Sequence, residues 1–323
     1  MALFDRPLSE LVEYRPEPDE PSDFDEFWAE TITQARAAAW QPRLERVEHP
    51  LRAVDVVDLR FAGFGGHEVS AWLLRPAGVT RPLPVVVEFN GYGGGRGLPH
   101  EHLPWVGAGY AHVFMDTRGQ GALWGSGGDT ADPVGHGTSV PGFVTRGLER
   151  PHDHYYRRVF TDGVRLVETL RGLPGIDPEQ AVVTGTSQGG GIALAVAGLT
   201  PGLLGAMPDV PFGSHWRWAV EHTDEDPFAE VQRYLAVHRD RVDQVFNTLS
   251  YLDGLAFARR AYAPALFSVG LMDGVCPPST VFAAHNAWAG PASIEIYPFN
   301  GHEGGGGHHL LAQARFLDTL VSR

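Results

Sequence analysis

The sequence predicts an α/β fold: a mainly parallel, twisted sheet with helices on both faces, an N-terminal helical and hairpin extension, and a helical insertion. Three observations carry that prediction. From residue 84 onward, apolar runs of strand length alternate with stretches of helical period. The runs Pro84-Val-Val-Val-Glu-Phe89 and Tyr110-Ala-His-Val-Phe-Met115 are densely apolar, as strands covered on both faces are. Finally, Ala181-Val-Val-Thr184 leads through Gly185-Thr-Ser-Gln-Gly189 straight into Gly190-Gly-Ile-Ala-Leu-Ala-Val-Ala197, a buried strand, a tight turn and an apolar helix. Strands alternating with helices wind into a parallel sheet through right-handed crossovers.

Taken in order, residues 1–21 are rich in Pro, Glu and Asp and read as an extended arm. Ser22 is a suitable N-cap for a helix over about 23–39, with Phe24, Phe27, Trp28 and Ile32 on one face. The runs starting at Val54 and Glu68, separated by Gly63-Phe-Gly-Gly66, read as antiparallel strands of a hairpin. Residues 117–150 are glycine-rich without helical period, and loops of that length are usually functional or interfacial. A helix is expected over Asp153–Arg171, then the strand–turn–helix unit and a short run at Leu203–Met207. Residues 212–260 are aromatic, charged and mainly helical in pattern, and read as an insertion over the sheet edge. Strands at Pro264–Gly270 and Ala292–Tyr297, with helices over 279–289 and 308–322, complete the chain. No repeat or linker divides it, so residues 1–323 read as one domain, with the arm and first helix over 1–50.

Composition narrows the function. Hydrophobic residues make up 43% and charged residues 20% of the 323, as in ordinary globular proteins. The net charge of −14 and a pI near 5.5 argue against nucleic acids or anionic membranes as partners, because the long-range field repels phosphate. The absence of lysine excludes a Ser-Lys dyad and a Schiff-base mechanism. A single cysteine, Cys276, leaves no intrachain disulfide and no cysteine-based zinc site, and beside Pro277 and Pro278 it reads as an inert packed thiol. No apolar run of membrane-spanning length and no basic-then-apolar start is visible, which predicts a cytoplasmic protein.

Strand, Gly-x-Ser-x-Gly and helix in that order describe a nucleophile elbow with Ser187 at its tip. A serine hydroxyl is a weak nucleophile at neutral pH and needs a base, which itself needs an orienting group. Asp273 follows the strand at Ala265–Val269 and His302 follows the strand at Ile294–Tyr297. This Ser, Asp, His order at successive strand ends is that of an α/β-hydrolase triad. A developing oxyanion needs two backbone N–H donors. Gln188, directly after the serine, supplies one, and the loop Asn90-Gly-Tyr-Gly-Gly-Gly95 supplies the other. That loop has no Gly-Lys-Ser/Thr sequel and is not a phosphate loop. His302, His308 and His309 lack metal-site spacing, so no metal is expected. Glu303 and the run Asp224-Glu-Asp226 read as solvated carboxylates, and Trp216 and Trp218 as core.

Arg118-Gly119-Gln120, Gly185-Thr-Ser187-Gln188-Gly189 and His302-Glu303 appear in that order. With Gly91-Tyr-Gly-Gly94, Pro141–Gly147, Tyr156–Asp162 and Asp273–Thr280, they resemble the acetyl xylan esterase and cephalosporin-C deacetylase group, carbohydrate esterase family 7. The likeness runs over nearly the whole chain. It implies a serine esterase that deacetylates acetylated xylo-oligosaccharides, simple acetyl esters and cephalosporins through an acyl-enzyme, without cofactor. It implies triad roles for Ser187, Asp273 and His302, an oxyanion hole from the Tyr92 and Gln188 amides, and structural roles for Arg118, Gly119 and Gln120. It also implies a ring-like homohexamer. The segment Ala122–Gly137 is richer in glycine than the family pattern, and Gly213-Ser-His-Trp216 departs from it too. Rival readings are a prolyl-oligopeptidase-like peptidase, a dienelactone hydrolase, and a non-catalytic binding protein on the same fold.

Overall fold

A computed structural model describes residues 3–135 and 139–321. The end of the glycine-rich segment at His136 and Gly137 lies outside the described residues, as do the two residues at each terminus. The helices are α1 (Leu8–Leu11), α2 (Phe24–Ala37), α3 (Pro104–Gly107), α4 (Tyr155–Leu170), α5 (Gln188–Leu199), α6 (Trp216–His222), α7 (Phe228–Val237), α8 (Val242–Ser250), α9 (Gly254–Ala258), α10 (Pro278–Ala287) and α11 (Gly306–Val321). The strands are β1 (Arg43–Arg46), β2 (Val54–Ala62), β3 (Glu68–Pro76), β4 (Leu83–Phe89), β5 (Ala111–Met115), β6 (Ile176–Thr186), β7 (Gly205–Asp209), β8 (Ala265–Gly270) and β9 (Ala292–Tyr297).

They form one nine-stranded sheet in the order β1-β2-β3-β5-β4-β6-β7-β8-β9. β5, β4, β6, β7, β8 and β9 run parallel, whereas β1, β2 and β3 extend the sheet antiparallel. β4, β5, β7 and β8 are buried along almost their whole length, because helices cover both faces. On one face α4 and α5 are packed through Val159, Val164, Val167, Ile192 and Val196, all without solvent exposure. On the other, Leu317 of α11 packs with Val86, Val182 and Met207.

Three expectations need correction. The arm contains a helical turn, α1, because Leu11 is drawn into the core and Asp5 Oδ2 accepts the Ser279 amide at 2.6 Å. Ser22 does not cap α2: the N-cap position is Asp23, whose carboxylate accepts the Tyr251 hydroxyl at 2.6 Å instead. β1 was not foreseen, since Arg43-Leu-Glu-Arg46 is exposed at every position and pairs only as the sheet edge. The segment between β7 and β8 is helical as expected, folding as α6 to α9.

Candidate active site

The elbow is built by close approach of backbone. Ser187 has φ +60°, a left-handed conformation that a non-glycine residue adopts only when its surroundings force it. A Cβ on Gly185 would lie 2.5 Å from the Gly189 carbonyl carbon, and one on Gly189 would lie 2.0 Å from the Phe89 oxygen. Only glycine at both flanks lets the turn sit against β4. The Ser187 amide donates to Asp209 O at 2.9 Å, and the Ser187 carbonyl accepts from Gly191 and Phe212. Ser187 is therefore fixed between β6, β7 and the N-terminus of α5.

β8 and β9 deliver the other two residues to the same edge. Asp273 is fully buried. Its Oδ1 accepts the Val275 and Cys276 amides at 2.8 and 2.9 Å, and its Oδ2 lies 2.8 Å from His302 Nδ1. Backbone bonds from Leu271 to Tyr297 and from Met272 to Asn300 tie the two loops together. Glu303, on the exposed surface as read, accepts the Asn300 amide group at 2.7 Å and the Gly301 N–H at 3.0 Å, bracing the turn that carries His302. The His302 side chain is 31% exposed and reaches a cavity of about 590 Å³ that it shares with Ser187.

The Cys276 thiol lies beside Ser187, and among the described residues no hydrogen bond joins the Ser187 hydroxyl to His302. Cys276 is fully buried, and burial, with the Asp273 carboxylate, pushes its thiol pKa up. That makes it a neutral packed group, as read from sequence, though one that lies beside Ser187.

The loop after β4 faces the same cavity. Among the described residues, neither the Tyr92 nor the Gln188 backbone N–H has a protein acceptor. The loop is held from all sides: Gln120 Oε1 accepts the Gly93 amide at 2.7 Å, the Trp124 indole donates to Tyr92 O at 2.7 Å, and Asn90 Nδ2 donates to Gly94 O. Gln120 Nε2 also donates to Gln188 Oε1 at 2.8 Å, which accepts the Tyr156 hydroxyl as well. Arg118 lies behind this layer, fully buried, gripping Asp162 with two bonds of 2.6 and 2.7 Å. Gly119 supplies the turn between them at φ +67°.

Tyr92, Leu123, Trp124, Pro141, Pro227 and Val275 give the cavity an apolar wall. Sequence reading missed Pro141 and Pro227 as lining residues; Asp226 lies in a solvated turn as read, at the cavity rim and paired to Arg233 at 2.6 Å. Trp216 packs in the core as expected, but Trp218 stacks on His222 nearer the surface. No group of three or more His, Cys, Asp or Glu side chains able to hold a metal occurs among the described residues. His309 instead pairs with Asp209 at 2.7 Å, under the sheet edge.

A mainly parallel sheet with a serine elbow after β6, an acid after β8 and a histidine after β9 defines an α/β-hydrolase. The model of the acetyl xylan esterase family matches residues 1–320, and the chain belongs to that family. It is 26% identical over 303 residues to the acetyl esterase Axe7A of Xylanibacter ruminicola, a match covering 89% of this chain and 65% of that protein. The chain thus spans somewhat less than two thirds of that relative. Two solved structures match along their full length. An acetyl xylan esterase from a Paenibacillus species is 35% identical, with a TM-score of 0.91 over 97% of this chain and 99% of that one. Acetyl xylan esterase 1 from a Thermoanaerobacterium species is 33% identical, with a TM-score of 0.89 over 98% and 99%.

Proposed function

We propose that the chain is a serine esterase that removes acetyl groups from small esters, acetylated xylo-oligosaccharides foremost. One observation carries this: Ser187, on its strained turn, opens into the same cavity as an imidazole whose Nδ1 is held by a buried carboxylate. Nδ1–H donates to Asp273, which leaves Nε2 as the base. On substrate binding the Ser187 hydroxyl pairs with His302 Nε2, a bond that commonly tightens only in the reactive complex.

His302 takes the serine proton as Ser187 Oγ attacks the acetyl carbonyl. The resulting oxyanion receives the Tyr92 and Gln188 amides, the second at the positive end of the α5 dipole. Collapse expels the sugar alcohol, to which His302 returns the proton. Water activated by the same imidazole then splits the acetyl-enzyme to acetate. Arg118 and Gln120 act at one remove, holding the loops that carry the donors.

The apolar wall suits small neutral esters, and the 3′-acetyl of cephalosporins belongs to the same proposal. So do a homohexameric state, which rests on the family resemblance, and the cytoplasmic location expected from the sequence. Among the described residues no helix is long and apolar enough to cross a membrane. The test is acetate release from acetylated xylo-oligosaccharides by wild type and Ser187→Ala. Loss on the order of 10⁶-fold in the variant is expected. Equal release by both proteins would remove Ser187 from the chemistry.

A further inference from the structure

We propose that Glu230 is a positioning residue for the oxyanion hole, holding Tyr92 from the far side so that its amide points at the reacting carbonyl. The inference rests on the reading of Ser187 as nucleophile and of the Tyr92 N–H as an oxyanion donor. Glu230 lies in the first turn of α7, 138 residues from Tyr92 in sequence, and is 6% exposed. Arg233, one turn further on, pairs with Asp226 rather than with it. Among the described residues Glu230 has no cation partner, which makes burying its carboxylate costly, and burial raises its pKa above the usual range. Packing alone would favour an apolar side chain there.

What the carboxylate holds is the far end of the oxyanion residue. Glu230 Oε1 accepts the Tyr92 hydroxyl at 2.6 Å and the Gly142 amide at 2.9 Å. The same phenol oxygen accepts the Phe143 amide at 2.9 Å, and the Tyr92 ring packs edge-on against Phe143. At the near end, the Tyr92 carbonyl accepts the Trp124 indole N–H. With carbonyl and hydroxyl both pinned, residue 92 cannot turn about its backbone without breaking one of these bonds. The peptide plane that carries its N–H is held in turn at Gly91 O, which accepts Asn90 Nδ2 and the Gly94 amide, so the two anchors fix residue 92 on the far side of that plane. Pro227, the residue preceding α7, lines the cavity. One helix therefore places both part of the cavity wall and the oxyanion loop, and Glu230 is the polar link between them.

A purely structural role would lower stability without a specific effect on turnover, so the test separates the two. Hydrolysis of 4-nitrophenyl acetate is measured for wild type, Glu230→Ala, Glu230→Gln, Tyr92→Phe, the Glu230→Ala/Tyr92→Phe double variant and Ser187→Ala, each with its thermal midpoint. Glu230→Ala should lower kcat on the order of 10- to 100-fold, as a misaligned donor does, with KM within about threefold. Glu230→Gln keeps an oxygen acceptor and should recover kcat to within about threefold of wild type. The double variant should lose little more than Glu230→Ala alone, because both changes break the Tyr92–Glu230 hydrogen bond through which the effect on turnover runs. Independent, multiplying losses would overturn the inference, and so would a lower midpoint with kcat unchanged. If Glu230→Ala does not fold, Tyr92→Phe decides, since an unchanged kcat there removes the anchor from catalysis. Retained turnover by Ser187→Ala overturns the esterase reading and the inference with it. Loss in Ser187→Ala with normal turnover in Glu230→Ala overturns the inference alone.

Discussion

Replacing Asp273 by Asn tests the triad more sharply than deleting it, because the structure fixes which way the new amide must face. Asp273 Oδ1 receives two backbone N–H groups, from Val275 and Cys276, at 2.8 and 2.9 Å. An asparagine oxygen fits that position and an NH₂ group does not, since it would put donors against donors. The NH₂ must then occupy the Oδ2 position, 2.8 Å from His302 Nδ1. There it donates to the ring, so Nδ1 becomes an acceptor and the proton moves to Nε2. An imidazole protonated at Nε2 cannot take the Ser187 proton. The wrong tautomer in a triad of this geometry costs about 10⁴-fold in kcat, or about 5.5 kcal/mol of barrier.

The fold should tolerate the change, because the isosteric side chain keeps its two amide bonds and the surrounding loop contacts. The assay is the initial rate of acetate release, normalised to folded protein by thermal unfolding. A fall of less than about 10²-fold with an unchanged midpoint would refute the assignment of Asp273 as the group that sets the His302 tautomer.

Two further outcomes probe the scaffold and its pH response. Arg118→Leu leaves the buried Asp162 carboxylate without its two-bonded partner, which costs about 3–5 kcal/mol. With an unfolding entropy of about 0.7 kcal/mol/K for a chain of 323 residues, the midpoint should fall by roughly 4–7 °C in calorimetry. A shift below about 1 °C would contradict the pairing. His154, buried at the start of α4 with its Nδ1 accepting the Tyr156 amide, has its pKa pushed down by burial to about 3. A depressed histidine is neutral in both states above about pH 6.5. Below that the unfolded chain takes up a proton that the folded one refuses, so stability falls by up to about 1.4 kcal/mol per pH unit. Urea unfolding between pH 7 and 5 should show this slope in wild type and a shallower one in His154→Asn, with equal slopes refuting the assignment.

The parts of the site legible in the sequence are those whose geometry is local. Gly185 and Gly189 betray the elbow because both lie within two residues of Ser187 in sequence, although the backbone that excludes a Cβ at them includes Phe89 of β4. Asp273 and His302 are readable because each follows its strand directly, and parallel strands bring such ends to one edge. Arg118-Gly-Gln120 was visible as a motif, but its partners Asp162 and Gln188 lie in other elements, so only the resemblance gave it a role. The weakly patterned pieces escaped for a different reason. Arg43–Arg46 is polar at every position and becomes a strand only because β2 offers an open edge.

Glu230 is the most instructive case. A glutamate in the first helical turn is what the helix dipole favours at any exposed terminus, so the residue type alone points to solvent. Its burial is imposed by the phenol of Tyr92 and the amide of Gly142, which lie on segments far away in sequence. Residues that do the chemistry follow strand ends and announce themselves, whereas those that aim them are selected by contacts across the fold. Their signal emerges only when a charged side chain is found buried without an opposite charge. Such a group is the place to look for control of the geometry around Ser187, Asp273 and His302.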